Sequence, residues 1–150
     1  RQAMLRPLFG HVLPGIDLLA STAPDRQGPA GSLGFARASL ADAAAIVVTP
    51  VDTPPARAET VAALLAHLDA HTHLLAVRPR HDRRGGHPVV LRQAALDAYA
   101  LAEPPPLREH LRALGNACAD IDVDDAAVLA DLDTPGEAMR WLRGPPRFLG

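Results

Sequence analysis

Three carboxylates hold the most chemistry in this chain, and each stands next to a proline-punctuated turn. Asp52 lies in Ala44-Ala-Ile-Val-Val-Thr-Pro-Val-Asp-Thr-Pro54, where an apolar run of Ala, Ile and Val ends in a loop carrying one acid. Asp131 and Asp133 lie in Leu129-Ala-Asp-Leu-Asp-Thr-Pro135, which reads as a second acidic strand end. Carboxylates at strand ends sit at the carboxyl edge of an α/β sheet, where this architecture binds its ligands. Two such ends brought together hold a hard divalent cation such as Mg²⁺, which takes oxygen ligands and leaves room for phosphates. Asp52 also suits a simple turn, because Asp and Thr before Pro favour one. Asp131 and Asp133 are two residues apart, and one of them is expected to aim at Asp52, with Asp131 first and Asp133 the alternative.

Two weaker signals accompany the acids. Arg83-Arg-Gly-Gly-His-Pro-Val-Val-Leu91 offers glycines that admit a ligand to the backbone, and His87 fixed against Pro88. Gly28-Pro-Ala-Gly-Ser-Leu33 reads as a loop entering a helix at an N-cap, Ser32. His67 and His71 share a helix face at i, i+4, with His73 close by, but no further ligand completes a metal site.

The elements that would position these residues alternate. A helix is expected from Ser32 to about Ala41, a strand over Ala44–Val48, and a helix over Pro55–Ala70 with Val61, Leu64, Leu65 and Leu68 on one face. A strand follows at His73–Arg78, then a polar loop over Pro79–His87 and a short strand at Pro88–Leu91. Helices Arg92–Leu101 and Leu107–Leu114 are separated by Glu103-Pro-Pro-Pro106. Ala117–Val123 alternates strictly, with Ala117, Ala119, Ile121 and Val123 on one face and Cys118, Asp120 and Asp122 on the other, as in a half-exposed strand where Cys118 is a small packed residue. Thr134-Pro-Gly-Glu137 is a capping box opening the last helix. Upstream, residues 1–15 lack a clear period and Ile16–Ser21 reads as a short strand. Strands alternating with helices predict a mostly parallel, Rossmann-like sheet in a three-layer α/β sandwich.

Composition sets the outer bounds. At 150 residues the chain fits one domain, 1–150. A net charge of −2 argues against nucleic acid as a partner, and no apolar run is long enough for a membrane span. With no signal peptide pattern, cytoplasm is the expected compartment. The lone Cys118 excludes an intrachain disulfide and a cysteine-built zinc site. All 15 basic residues are arginine, so no lysine of this chain clamps a phosphate.

Taken in order, four segments resemble the molybdenum cofactor nucleotidyltransferases, the MobA-like guanylyl- and cytidylyltransferases: Gly28 to Leu33, Pro50-Val-Asp-Thr-Pro54, Gly86-His-Pro-Val89 and Asp131-Leu-Asp-Thr-Pro135. The resemblance implies a fold of the nucleotide-diphospho-sugar transferase type and Mg²⁺-dependent transfer of a nucleoside monophosphate, with release of pyrophosphate. The donor is CTP or GTP, with the Gly-His-Pro and Asp-x-Asp-Thr-Pro forms closer to the cytidylyl branch. The acceptor is a phosphorylated small molecule such as molybdopterin, and a molybdoenzyme is the further partner. Asp52 and Asp131 are then the catalytic acids and metal ligands, with Asp133 the alternative to Asp131. Ser32 lies near the nucleotide, and Gly86, His87 and Pro88 line the acceptor side.

The sequence departs from that family at its start. The Gly-rich loop with Arg and Lys that grips the triphosphate is not found, so an N-terminally truncated domain is expected, inactive as it stands. Two alternatives accompany the enzyme reading. One is a non-catalytic relative that keeps the acceptor side. The other is a sugar transferase using Asp131-Leu-Asp133 as its metal motif, which leaves Gly86-His-Pro88 unexplained.

Overall fold

Ile46, Val47 and Val48 open the described sheet as a β-branched run, the composition that favours a pleated, half-buried strand. A computed structural model of the chain describes residues 28–142. The strand expected at Ile16–Ser21 and the irregular stretch before it lie outside these residues. Within them the elements are α1 (Gly28–Ser39), β1 (Ala45–Val48), α2 (Ala58–Ala70), β2 (Ala76–His81), β3 (Arg84–Gly85) and β4 (Val89–Arg92). A 3-10 segment follows at Gln93–Ala100, then α3 (Leu107–Ala113), β5 (Cys118–Asp122), a 3-10 turn at Ala126–Leu129 and α4 (Pro135–Leu142).

Pairing in the sheet is mixed. β4 lies between β1 and β2 and runs against both, β3 folds back on the end of β2, and β5 runs parallel to β2. The expected mostly parallel sheet is therefore not what the described strands show: β2 with β5 is the parallel pair among them. The polar stretch expected to be a loop supplies the difference. His81 and Arg84 pair across a two-residue turn made by Asp82 and Arg83, at φ 48° and 62°. Two central residues at positive φ are what a tight hairpin needs, and Asn-Gly or Asp-Gly normally announce it. The chain reverses here without that signal, and β4 enters the sheet antiparallel.

This topology has a direct consequence for position. β1, β2 and β5 share a direction, so their carboxyl ends lie at one edge of the sheet. Because β4 runs the other way, its first residues lie at that same edge, with Val89 opposite Val48. The Asp52 loop and the His87 segment are thus neighbours.

Alternation along the strands places a core on each face. Ile46, Ala76, Val89 and Leu91 pack with Leu33 of α1, Leu96 and Tyr99 of the 3-10 segment and Leu111 of α3. Val77 and Val90 pack on the other side with Leu64 and Leu68 of α2 and with Leu74. Leu65, expected on the buried face of α2, is exposed, and Thr60 is buried in its helix instead. Cys118 packs against the first core, as a small apolar residue would, and burial pushes its thiol pKa up.

β5 keeps its predicted alternation, and the register gives its acids a purpose. Asp120 stands opposite Arg78 and Asp122 opposite Arg80. Each guanidinium meets its carboxylate through two nitrogens at 2.7–2.8 Å.

Candidate functional site

β1 ends at Val48 and runs into the loop Thr49–Pro54, which Pro54 anchors by burial while Asp52 stays exposed. The backbone carbonyl of Asp52 accepts a hydrogen bond from the amide of Leu132 at 2.7 Å. That single bond ties the two acidic segments together, although 80 residues of chain separate them.

The second segment is not a strand end. After β5 the chain makes the 3-10 turn Ala126–Leu129 and then runs irregularly to α4. Its course is set by backbone bonds to the other loops: the carbonyl of Val128 accepts from the amide of His87 at 2.8 Å, and Leu132 reaches Asp52. Beyond it, Thr134 and Glu137 exchange the expected capping-box bonds at 2.7–3.2 Å, which start α4.

The His87 segment is held from both sides. The amide of Gly86 donates to Pro79 at 2.9 Å while His87 donates to Val128. Gly86 is buried so closely that a Cβ would fall on the Val128 carbonyl, so this position admits only glycine. The His87–Pro88 peptide is cis, and Pro88 is buried.

Electrostatics show how these parts face one another. Burial lowers the pKa of His87, Asp131 and Asp52 pull it upward, and Arg78 adds to the lowering. His87 is thus held toward its neutral form between acids and a guanidinium. Asp131 and Asp52, one from each acidic segment, are both among the charges acting on it. The Nδ1 atom of His87 is buried without a hydrogen-bond partner among the described residues.

A cleft of about 800 Å³ opens over this edge, within the range of small-molecule sites. Ser32, Asp52 and His87 line it together, with Leu33, Val48 and Leu107 as apolar wall. Ser32 reaches the cleft from the interior of α1, not from an N-cap: the helix begins at Gly28, and Ser32 lies in its second turn, exposed. Asp131 adjoins the cleft through Leu132 but does not line it, and Asp133 is exposed near the Thr134 cap. Gly86 and Pro88 position His87 from below. His67 and His71 stack at 4.2 Å between centroids, remote in sequence and element from this edge.

One residue was missed by sequence reasoning. Asp125 is 1% exposed and accepts hydrogen bonds from the Arg57 amide at 2.8 Å, the Thr60 hydroxyl at 2.7 Å and the Ala127 amide at 3.2 Å. Burial by itself would raise its pKa, but these bonds and the Arg57 charge hold it below the usual carboxylate value. It fastens the segment leading to Asp131 onto the start of α2. An Asp before Ala-Ala-Val-Leu is an N-cap signal, yet nothing local tells Asp125 from Asp124.

The family model of the MobA-like NTP transferase domain matches residues 5–121. The match ends before Asp131, so it covers the Asp52 and His87 segments and not the third. No curated protein matches the chain.

Proposed function

The chain belongs to the MobA-like NTP transferase domain family, and from that premise we propose that it transfers a nucleoside monophosphate from an NTP to a phosphorylated small-molecule acceptor. The observation that carries this reading is the bond between Leu132 and Asp52, which brings two exposed acidic segments to one sheet edge beside His87. In the reaction an acceptor phosphate oxygen attacks the α-phosphorus of the nucleotide. A new P–O bond forms, the bond to the bridging oxygen of the β-phosphate breaks, and pyrophosphate leaves with the electron pair. Such displacements depend on positioning and charge neutralisation more than on side-chain acid–base work.

The donor set suits Mg²⁺. Asp52 and Asp131 offer hard oxygen ligands on segments fixed to each other, with Asp133 as the alternative second ligand. Among the described residues no group of three His, Cys, Asp or Glu side chains is gathered for a metal. A cation held here would complete its shell with phosphate oxygens and water. When bound, Mg²⁺ supplies neutralisation of the triphosphate charge. The chain's own part is to orient the nucleotide along the cleft between Ser32 and Asp52 and to present His87 toward the acceptor. The likeness of Gly86-His-Pro88 and Asp131-Leu-Asp-Thr-Pro135 to the cytidylyl branch favours CTP over GTP, and an acceptor of the molybdopterin kind. A molybdoenzyme would receive the product.

A second reading is favoured by the side chains available to grip a triphosphate. Every basic residue is an arginine, and no lysine is present. On this reading the chain binds the acceptor without turnover. Pyrophosphate release with CTP or GTP, Mg²⁺ and acceptor separates the two. Release that depends on Asp52 supports the enzyme, and acceptor binding with no release supports the binder. Nucleotide binding in Mg²⁺ left unchanged by Asp52→Asn would overturn the placement of the nucleotide.

A further inference from the structure

His87 and Leu107 border a second cleft, of about 520 Å³, whose lining does not include Asp52. Its polar character is the reverse of the first. Arg78 from β2, Arg84 from β3 and Arg108 from α3 converge on it, and its lining contains no carboxylate. In a chain with a net charge of −2, three guanidiniums from three separate elements are a local inversion of sign. Glycine at 85 is part of the construction: a Cβ there would strike the guanidinium of Arg78, which lies over it. Arg78 is further fixed by its two bonds to Asp120, both at 2.8 Å. Arg84 and Arg108 are exposed and carry no ion pair to another described residue. Val89, Leu107 and Leu111 supply an apolar wall beside the charges.

We propose that this arginine-lined cleft is where the phosphate of the acceptor sits, with Arg78, Arg84 and Arg108 as its ligands. The inference rests on the nucleotidyl-transfer reading for its direction. Carboxylates that take the metal and nucleotide belong to the cleft with Asp52, and guanidiniums that take the attacking anion belong to the other. His87 borders both, so the acceptor oxygen and the α-phosphorus would meet beside it. Guanidiniums suit a phosphate because their planar forks match its oxygens two at a time. The apolar wall receives the organic part. The volume falls in the range of small-molecule sites.

The test is titration of the full chain at low ionic strength with inorganic phosphate, and separately with malonate as a dicarboxylate of similar charge, followed by calorimetry. Phosphate binds, malonate binds more weakly, and Arg84→Ala and Arg108→Ala each weaken phosphate by about tenfold, the scale of a lost charge-assisted pair. Affinity for CTP in Mg²⁺ stays within about twofold in both variants, because that ligand uses the Asp52 side. Arg84→Lys, which keeps the charge and loses the fork, gives an intermediate loss. Phosphate affinity unchanged in both alanine variants overturns the proposal, as does malonate binding as tightly as phosphate. If the native chain binds neither CTP nor GTP, the transfer reading fails, and the phosphate titration still decides whether the cleft is an anion site.

Discussion

The acids in and just after β5 and those of the two loops at the cleft are put to opposite uses. Asp120, Asp122 and Asp125 are each consumed by a partner: Arg78, Arg80, and the trio of Arg57, Thr60 and Ala127. Asp52 is held by its backbone carbonyl and Asp131 through its neighbour Leu132, and their carboxylates stay exposed with no side-chain bond to another described residue. The first group spends its charge on the fold. The second is fixed in place by main-chain bonds, so its charge remains available to a ligand. Local sequence does not separate the two groups, since all five residues are aspartates among small and apolar neighbours.

The contrast breaks most sharply at Asp52. Asp52→Asn removes a carboxylate that no other described residue bonds, so stability should change by less than about 0.5 kcal/mol. Metal-dependent nucleotide binding and turnover should fall by at least about a hundredfold, since charge neutralisation by a bound cation contributes several kcal/mol. Paired measurement of the denaturation midpoint and CTP affinity checks it. A large stability loss with intact binding would move Asp52 into the structural group.

Asp125→Ala is the mirror experiment. It leaves an amide, a hydroxyl and a second amide without their acceptor in a buried site, at a cost of about 2–4 kcal/mol. For a domain of this size the melting temperature drops by roughly 10 °C. The sign of the pH dependence follows from the lowered pKa. The contribution of the carboxylate is fully present above its ordinary value of 3.8 and is lost as pH falls through the lower, folded value. Native chain should therefore lose stability more steeply than Asp125→Ala in acid, and thermal melts below pH 4 would show it.

His87 tests which of the two downstream acids faces the site. Its titration by NMR should fall below the ordinary 6.5 because it is buried. Asp131→Asn takes away a charge that raises the value and should move the titration further down. Arg78→Ala should move it up. Asp133→Asn should leave it unchanged, and a shift there equal to that of Asp131→Asn would exchange the roles of the two acids.

What was readable from sequence follows the range of the forces involved. The strand before Asp52, α2, the alternation of β5 and the Thr134 box are set by residues within a turn or a strand of each other, and they form as expected. The reversal at Asp82-Arg83 was hidden, because two non-glycine residues at positive φ give no local warning. Missing it cost the direction of β4 and with it the mixed pairing. Ser32 was placed at a cap because Gly and Pro precede it, whereas α1 already starts at Gly28 and its packing on the core sets the boundary. Ser32, Asp52 and His87 were each singled out, but their meeting in one cleft depends on β4 running antiparallel. Asp125 was invisible for a related reason: its donors at Arg57 and Thr60 are more than 60 residues away.

The smallest effect belongs to the β2–β5 rungs. Arg78 and Asp120 form a two-bond pair, but about a third of each side chain remains in contact with solvent. Water screens such a pair and competes for its hydrogen bonds, so Asp120→Asn should cost below about 1 kcal/mol, and less in high salt. Its more telling readout is on the arginine. Without Asp120 the guanidinium of Arg78 is no longer held over Gly85, and the phosphate cleft loses one fixed wall. Phosphate affinity should then change by more than stability does. If both stay the same, the bridge is a surface pair only, and Asp120 belongs with neither group of the comparison.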